Sequence, residues 1–145
     1  MSATGLNVFD KTVQTTNIWL NEIMADLGPD RQLAWHVLGV VLRALRDKLP
    51  AELAANLGAE LPLLVRGAYY DQYQPSREPN SDRSVDAFLD SIAEELKFGR
   101  PVNTAGAAKA VLRALVHHID LGQSAKVREA LPKEIRALWP ASVGT

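Results

Sequence analysis

The chain has no cysteine among its 145 residues, which excludes disulfides, thiol nucleophiles and cysteine metal ligands. It also lacks an excess of charge of one sign. Sixteen basic and 17 acidic residues leave a net charge of −1. They are evenly spread, with 6 basic and 7 acidic residues in 1–70, and 8 and 7 in 84–145. A nucleic-acid surface needs a local surplus of lysine and arginine, so nucleic acid is not an expected partner. Long apolar runs are missing too: Arg43 and Arg46 interrupt the first and Arg113 the second. Neither approaches the roughly 20 residues that cross a bilayer, so no membrane association is expected. No basic stretch leads into an apolar segment at the N-terminus, which argues against a secretory signal and for the cytoplasm. Period-two alternation with β-branched residues is absent, so no sheet is expected. A Gly-rich phosphate loop, a serine nucleophile elbow and a metalloprotease His-Glu pair are absent as well.

The chain does contain an internal repeat. Val41-Leu42-Arg43-Ala44-Leu45 recurs 70 positions later as Val111-Leu112-Arg113-Ala114-Leu115. At the same offset Leu61-Pro62 falls on Leu131-Pro132, Arg66 on Arg136 and Tyr69 on Trp139. Trp19-Leu20-x-x-Ile23-x-x-x-Leu27 falls on Phe88-Leu89-x-x-Ile92-x-x-x-Leu96. A repeat fixes architecture before it fixes function. Each half is of a size at which an isolated core is marginal, so the two are expected to share one compact domain.

Apolar residues at three- and four-residue steps (Phe9, Val13, Leu20, Met24, Leu27) predict a first amphipathic helix, ended by Gly28-Pro29. Residues 31–48 form the second and are apolar on more than one side, which places them centrally. Pro50 opens a short third helix stopped by Gly58, and Pro62 a fourth that reaches Tyr70. The second half repeats the plan at 84–97, 104–119, 124–131 with Ser124 as N-cap, and Pro132 to Trp139. The expected fold is thus all-α, eight helices as two pseudo-symmetric four-helix repeats packed together. Residues 1–8 form a flexible N-terminus, 9–70 the first repeat, 71–83 an extended connector, 84–140 the second repeat and 141–145 a tail.

Several of these residues resemble those of a known family. Phe9-x-x-Thr12-Val13-Gln14-x-x-Asn17-x-Trp19-Leu20 is one such segment. Leu49-Pro50, Leu57-Gly58-Ala59-x-Leu61-Pro62 and Arg66-Gly67-x-Tyr69-Tyr70 are others. With the closing Leu131-Pro132-x-Glu134-Ile135-Arg136-x-Leu138-Trp139, they resemble the signatures of the bacterial domain of unknown function 2267 family. The resemblance spans about 9–140 and implies a small helical protein, sometimes attached to regulatory domains. It implies no catalytic residue or cofactor.

Four arginines stand at equivalent places, Arg43 with Arg113 and Arg66 with Arg136. Their guanidinium forks suit an anion site between the halves. They equally suit a structural role on a carboxylate, such as Asp47 four residues after Arg43, or on the helix-end carbonyls left by the Leu-Pro turns. Arg66→Ala separates the two readings, since an anion site would lose phosphate-induced stabilisation while the fold survived. Tyr70 and Tyr73 have no aromatic counterpart in the second half and are candidates for a partner surface, or for staples holding the connector to the bundle. His117-His118 with Asp120 invites a metal reading. Neighbouring helical residues point about 100° apart, so the imidazoles are not expected to converge, and the expectation is no metal. Asp86, Asp90 and Glu94 share a helix face opposite Phe88, Leu89, Ile92 and Leu96 and read as solvated. The chain is thus expected to be a non-enzymatic interaction or regulatory module, possible partner another protein, with an anion sensor as the alternative and an enzyme of unseen type as the lesser one.

Overall fold

The computed structural model describes residues 3–77 and 82–140, and among these all regular structure is helical. Eight α-helices follow in order: α1 Asn7–Leu27, α2 Arg31–Arg46, α3 Ala51–Gly58, α4 Leu63–Tyr70, α5 Val85–Leu96, α6 Thr104–His118, α7 Leu121–Ala130 and α8 Lys133–Arg136. The expected tail at 141–145 lies outside the described residues, as does part of the connector, 78–81.

Local chemistry sets most boundaries. Asp30, Ser84 and Asn103 each accept a backbone N–H three residues on and so cap α2, α5 and α6. Pro50, Pro62 and Pro132 stand just before α3, α4 and α8. Gly28 leaves α1 at φ +106, a conformation that favours glycine, while its N–H still reaches the Met24 carbonyl.

The structure departs from the sequence-based expectation at several points. α1 begins at Asn7, not Phe9, because Thr4 donates from both its backbone N–H and its hydroxyl to the Asp10 carboxylate and ties the start down. Of the expected flexible N-terminus, residues 1–2 lie outside the described residues, Thr4 and Leu6 are hydrogen-bonded, and Asn7 and Val8 belong to α1. α7 begins at Leu121, because Asp120 is its N-cap, accepting from Gln123 N–H; Ser124 is buried inside the helix. α8 stops at Arg136, beyond which Leu138 and Trp139 reach back only three residues to Ile135 and Arg136 in tighter turns. The connector is not wholly extended, for Pro75–Arg77 form a 3₁₀ turn.

A single buried apolar cluster draws on both halves of the chain. α2 lies at its centre and packs on α1, α4, α5 and α6. Val37, Leu38, Val41, Leu42 and Leu45 of α2 are fully buried, which the many-sided hydrophobicity of this helix anticipated. α6 contributes Ala107, Val111, Leu112 and Leu115. α1 packs along both α2 and α6, so its buried residues Trp19 and Ile23 close the core across the two halves. Phe9 and Val13, expected on the inner face of α1, are instead 48% and 43% exposed, because these turns bury Thr12 and Thr16, which share the inner face with Trp19 and Ile23.

Candidate functional site

α1 and α6 meet along a polar edge. Glu22 and Asp26 lie one turn apart on α1, and Arg113 and His117 one turn apart on α6. Asp26 pairs with Arg113 at 2.8 Å, and Glu22 with His117 at 2.9 Å. His118, the last residue of α6, turns its Nε2 onto the same Glu22 oxygen at 2.7 Å. Trp19 stacks on the His118 ring, centroids 5.0 Å apart and planes 18° apart. Ligand-competent atoms of Glu22, His117 and His118 all lie within 4.8 Å of one another.

This corrects the expectation that the paired histidines diverge. His117 uses its near nitrogen, Nδ1, and His118 its far one, Nε2, so the two rings approach to a 4.6 Å centroid separation despite their different helical angles. Glu22, 95 residues from His117, was not singled out from sequence. The only signal was the matching four-residue spacing of Glu22/Asp26 and Arg113/His117. Asp120 is not part of the group, being spent on the α7 cap. His36 is elsewhere, against the Glu95 carbonyl at 3.3 Å.

Arg43, Arg66, Arg113 and Arg136 are held apart and engaged. Arg66 donates from Nε to the Gly58 carbonyl at 2.9 Å, and from Nη2 to Ala59 at 3.2 Å and Leu61 at 2.9 Å. These are the carbonyls left at the end of α3. Arg136 does the same at the end of α7, donating to Leu131 at 2.9 Å. Arg43 reaches the Ala68 carbonyl of α4 at 3.0 Å, and Asp47 pairs with Arg46 rather than with it. Arg113 pairs with Asp26 across the α1–α6 edge. Arg43 lines a cavity of about 230 Å³ together with Arg46, Asp47 and Asp71. Arg66 lines a separate groove of about 470 Å³ with Lys11, Trp19, Glu60 and His118. Neither cavity gathers the four.

The tyrosines pack inward. Tyr70 sits over Gly58, where an added Cβ would come within 2.3 Å of its hydroxyl, and meets Tyr69 edge-on at 5.0 Å. The Tyr73 ring lies under the Arg46 guanidinium, 4.8 Å from its centroid. Both are half-buried against the core, the placement of a staple holding the start of the connector. Tyr69 is fully buried and donates to the Ala54 carbonyl at 2.7 Å. Burial, reinforced by Tyr70 and Tyr73, pushes its phenol well above the usual range.

Tyr69→Phe should cost about 1–2 kcal/mol in urea denaturation, because the hydroxyl's bond to Ala54 is lost. The raised phenol also has a pH signature. Above about pH 10 the unfolded chain ionises this tyrosine while the folded chain keeps it protonated, so stability falls as pH rises. The phenylalanine variant should lose that part of the alkaline fall, and an unchanged pH dependence would contradict the assignment.

Asp86, Asp90 and Glu94 are exposed along α5, the last paired with Lys97. No helix among the described residues is long and apolar enough to cross a membrane. Among curated proteins none matches the chain. A family model does match from residue 16 to 138, which takes in the Leu-Pro turns, both arginine caps and the α1–α6 edge but leaves out Phe9–Gln14. The chain therefore belongs to the DUF2267 family of uncharacterized conserved proteins.

Proposed function

We propose that this protein is a non-enzymatic interaction module of the bacterial cytoplasm that docks an amphipathic helix with an acidic edge. The observation that carries this reading is the uncovered apolar end of α1. Phe9 and Val13 on α1, with Leu63 and Leu64 on α4, are each between 43% and 49% exposed. The two elements are joined where Leu64 N–H donates to the Thr12 hydroxyl at 3.2 Å. Val8 and Leu63 line the 470 Å³ groove, where Lys11 supplies a cation, while Glu60 on the same groove is engaged by the Asp120 N–H at 2.7 Å. An apolar stripe recurring at helical steps and flanked by a cation suits a partner helix with matching apolar residues and a carboxylate. The cysteine-free composition agrees with a reducing compartment.

We further infer that the scaffold is a duplicated four-helix unit. In support, α1 packs on α2 and α6 while its counterpart α5 packs on α6 and α2. Arg66 and Arg136 cap equivalent helix ends.

A photo-crosslinker in place of Val13 or Leu64 tests the docking surface in cells. The expected adduct maps to an amphipathic helix with acidic residues and disappears from Val13 when Leu64→Asp is also present. Exposed substitutions of this kind should move the melting temperature by only about 2 °C. Adducts indistinguishable from those formed at Lys126 on α7, or mapped to a basic or unstructured segment, would overturn it.

A further inference from the structure

We propose that Glu22, His117 and His118 bind a divalent transition-metal ion of the zinc class, with at least one coordination position left to solvent or a ligand. Two imidazole nitrogens and one carboxylate oxygen are the donor set that zinc, nickel, cobalt and copper(II) prefer over magnesium or calcium. The separations fit. Donors held at about 2.0–2.1 Å around one tetrahedral ion lie about 3.3 Å apart. Here the two histidine–Glu22 distances are 2.9 and 2.7 Å, and the whole set falls within 4.8 Å. Small side-chain rotations are enough to open one pair and close the other.

Three surrounding features favour a cation at this point. Trp19 is buried and fixes the His118 ring by stacking on it, so one ligand is held in place before the ion arrives. Both histidines lie in the last turn of α6, where the helix end carries partial negative charge. Arg113, one turn before His117 and the nearest cation in sequence, is neutralised by Asp26 at 2.8 Å. Glu22 comes from the first half of the chain and both histidines from the second, so the ion would clamp α1 to α6.

Binding requires each coordinating nitrogen to present a lone pair. His117 must carry its proton on Nε2 and His118 on Nδ1, the reverse of what their bonds to Glu22 need. Each neutral ring therefore exchanges an N–H···O bond for a metal–nitrogen bond by changing tautomer, and no redox step is involved.

The test is titration of the purified protein with ZnCl₂ by calorimetry, and with CoCl₂ for its visible absorption. Expected is one ion per chain, a rise in melting temperature with zinc concentration, and imidazole ¹⁵N shifts confined to His117 and His118. Glu22→Gln, which keeps shape and folding, and His117→Ala, on an exposed side chain, should each weaken binding at least tenfold. His36→Ala should leave it unchanged. Absence of one-to-one binding below about 100 μM zinc, or binding equally strong in Glu22→Gln and His117→Ala, would overturn the site. Loss of binding in His36→Ala would do the same. Of the three ligands only His118 also lines the α1–α4 groove, so Glu22→Gln and His117→Ala test the metal site while leaving the docking surface intact.

Discussion

Arg46→Ala should destabilise the protein by about 3–5 kcal/mol, enough to remove a large part of the stability of a domain this size. Arg46 is only 4% exposed. Its Nη1 donates to the carbonyls of Tyr69 and Asp71, both at 2.8 Å, and its Nε to Asp47 at 2.8 Å. The planar guanidinium also covers the Tyr73 ring. One side chain thus satisfies the C-terminal end of α4, pairs a carboxylate and seats the start of the connector. Alanine leaves those carbonyls without this donor and Asp47 without its partner, which costs more than the bonds themselves gain. Arg46→Lys should recover only part of the loss, because an ammonium cannot span the same forked geometry. Equilibrium urea unfolding measures both. A loss below about 1 kcal/mol for alanine would show that the guanidinium is a bystander.

Trp19→Ala should cost a similar amount, about 3–5 kcal/mol, through a different mechanism. Trp19 is the largest of the fully buried side chains, 1% exposed. It sits on α1 where that helix meets α6, so its removal leaves a cavity at the junction of the two halves rather than within one. Its second effect is local. Without the indole, His118 loses its stacking partner, and amide exchange should accelerate over residues 113–120 more than over α3 or α4. Trp19→Phe, which keeps an aromatic ring in the site, should recover most of the stability. Uniform acceleration of exchange throughout the chain would mean that Trp19 acts on the core alone.

Much of the helical plan was legible in sequence because its determinants are local. The three-residue spacing from Asp30, Ser84 or Asn103 to the N–H it caps, and the proline before α3, α4 and α8, act within one turn. In sequence Ser124 reads as the cap of α7, but Asp120, four residues earlier, is the one that stands outside the helix. The Leu-Pro turns also pointed to arginine on free carbonyls, and Arg66 and Arg136 sit on them. Arg46 was read only as an interruption of an apolar run. Its importance depends on where α4 ends in space, which no local pattern encodes. The Glu22 cluster was hidden for the same reason. Reading two adjacent histidines by helical angle alone ignores that each ring offers two nitrogens at different reach, and that a carboxylate from a distant helix can lie between them.

The pairing of the first helix with the sixth also has a temporal consequence. A ribosome adding about 5–20 residues per second needs several seconds between finishing α1 and finishing α6. Throughout that interval the surface of α1 that will close on α6 is without its final partner, and a nascent chain halted after α4 lacks the element that covers Trp19 and Ile23. Folding of this chain on the ribosome is therefore expected to be late and concerted, completing only once α6 has left the exit tunnel, even though each half carries four helices of its own.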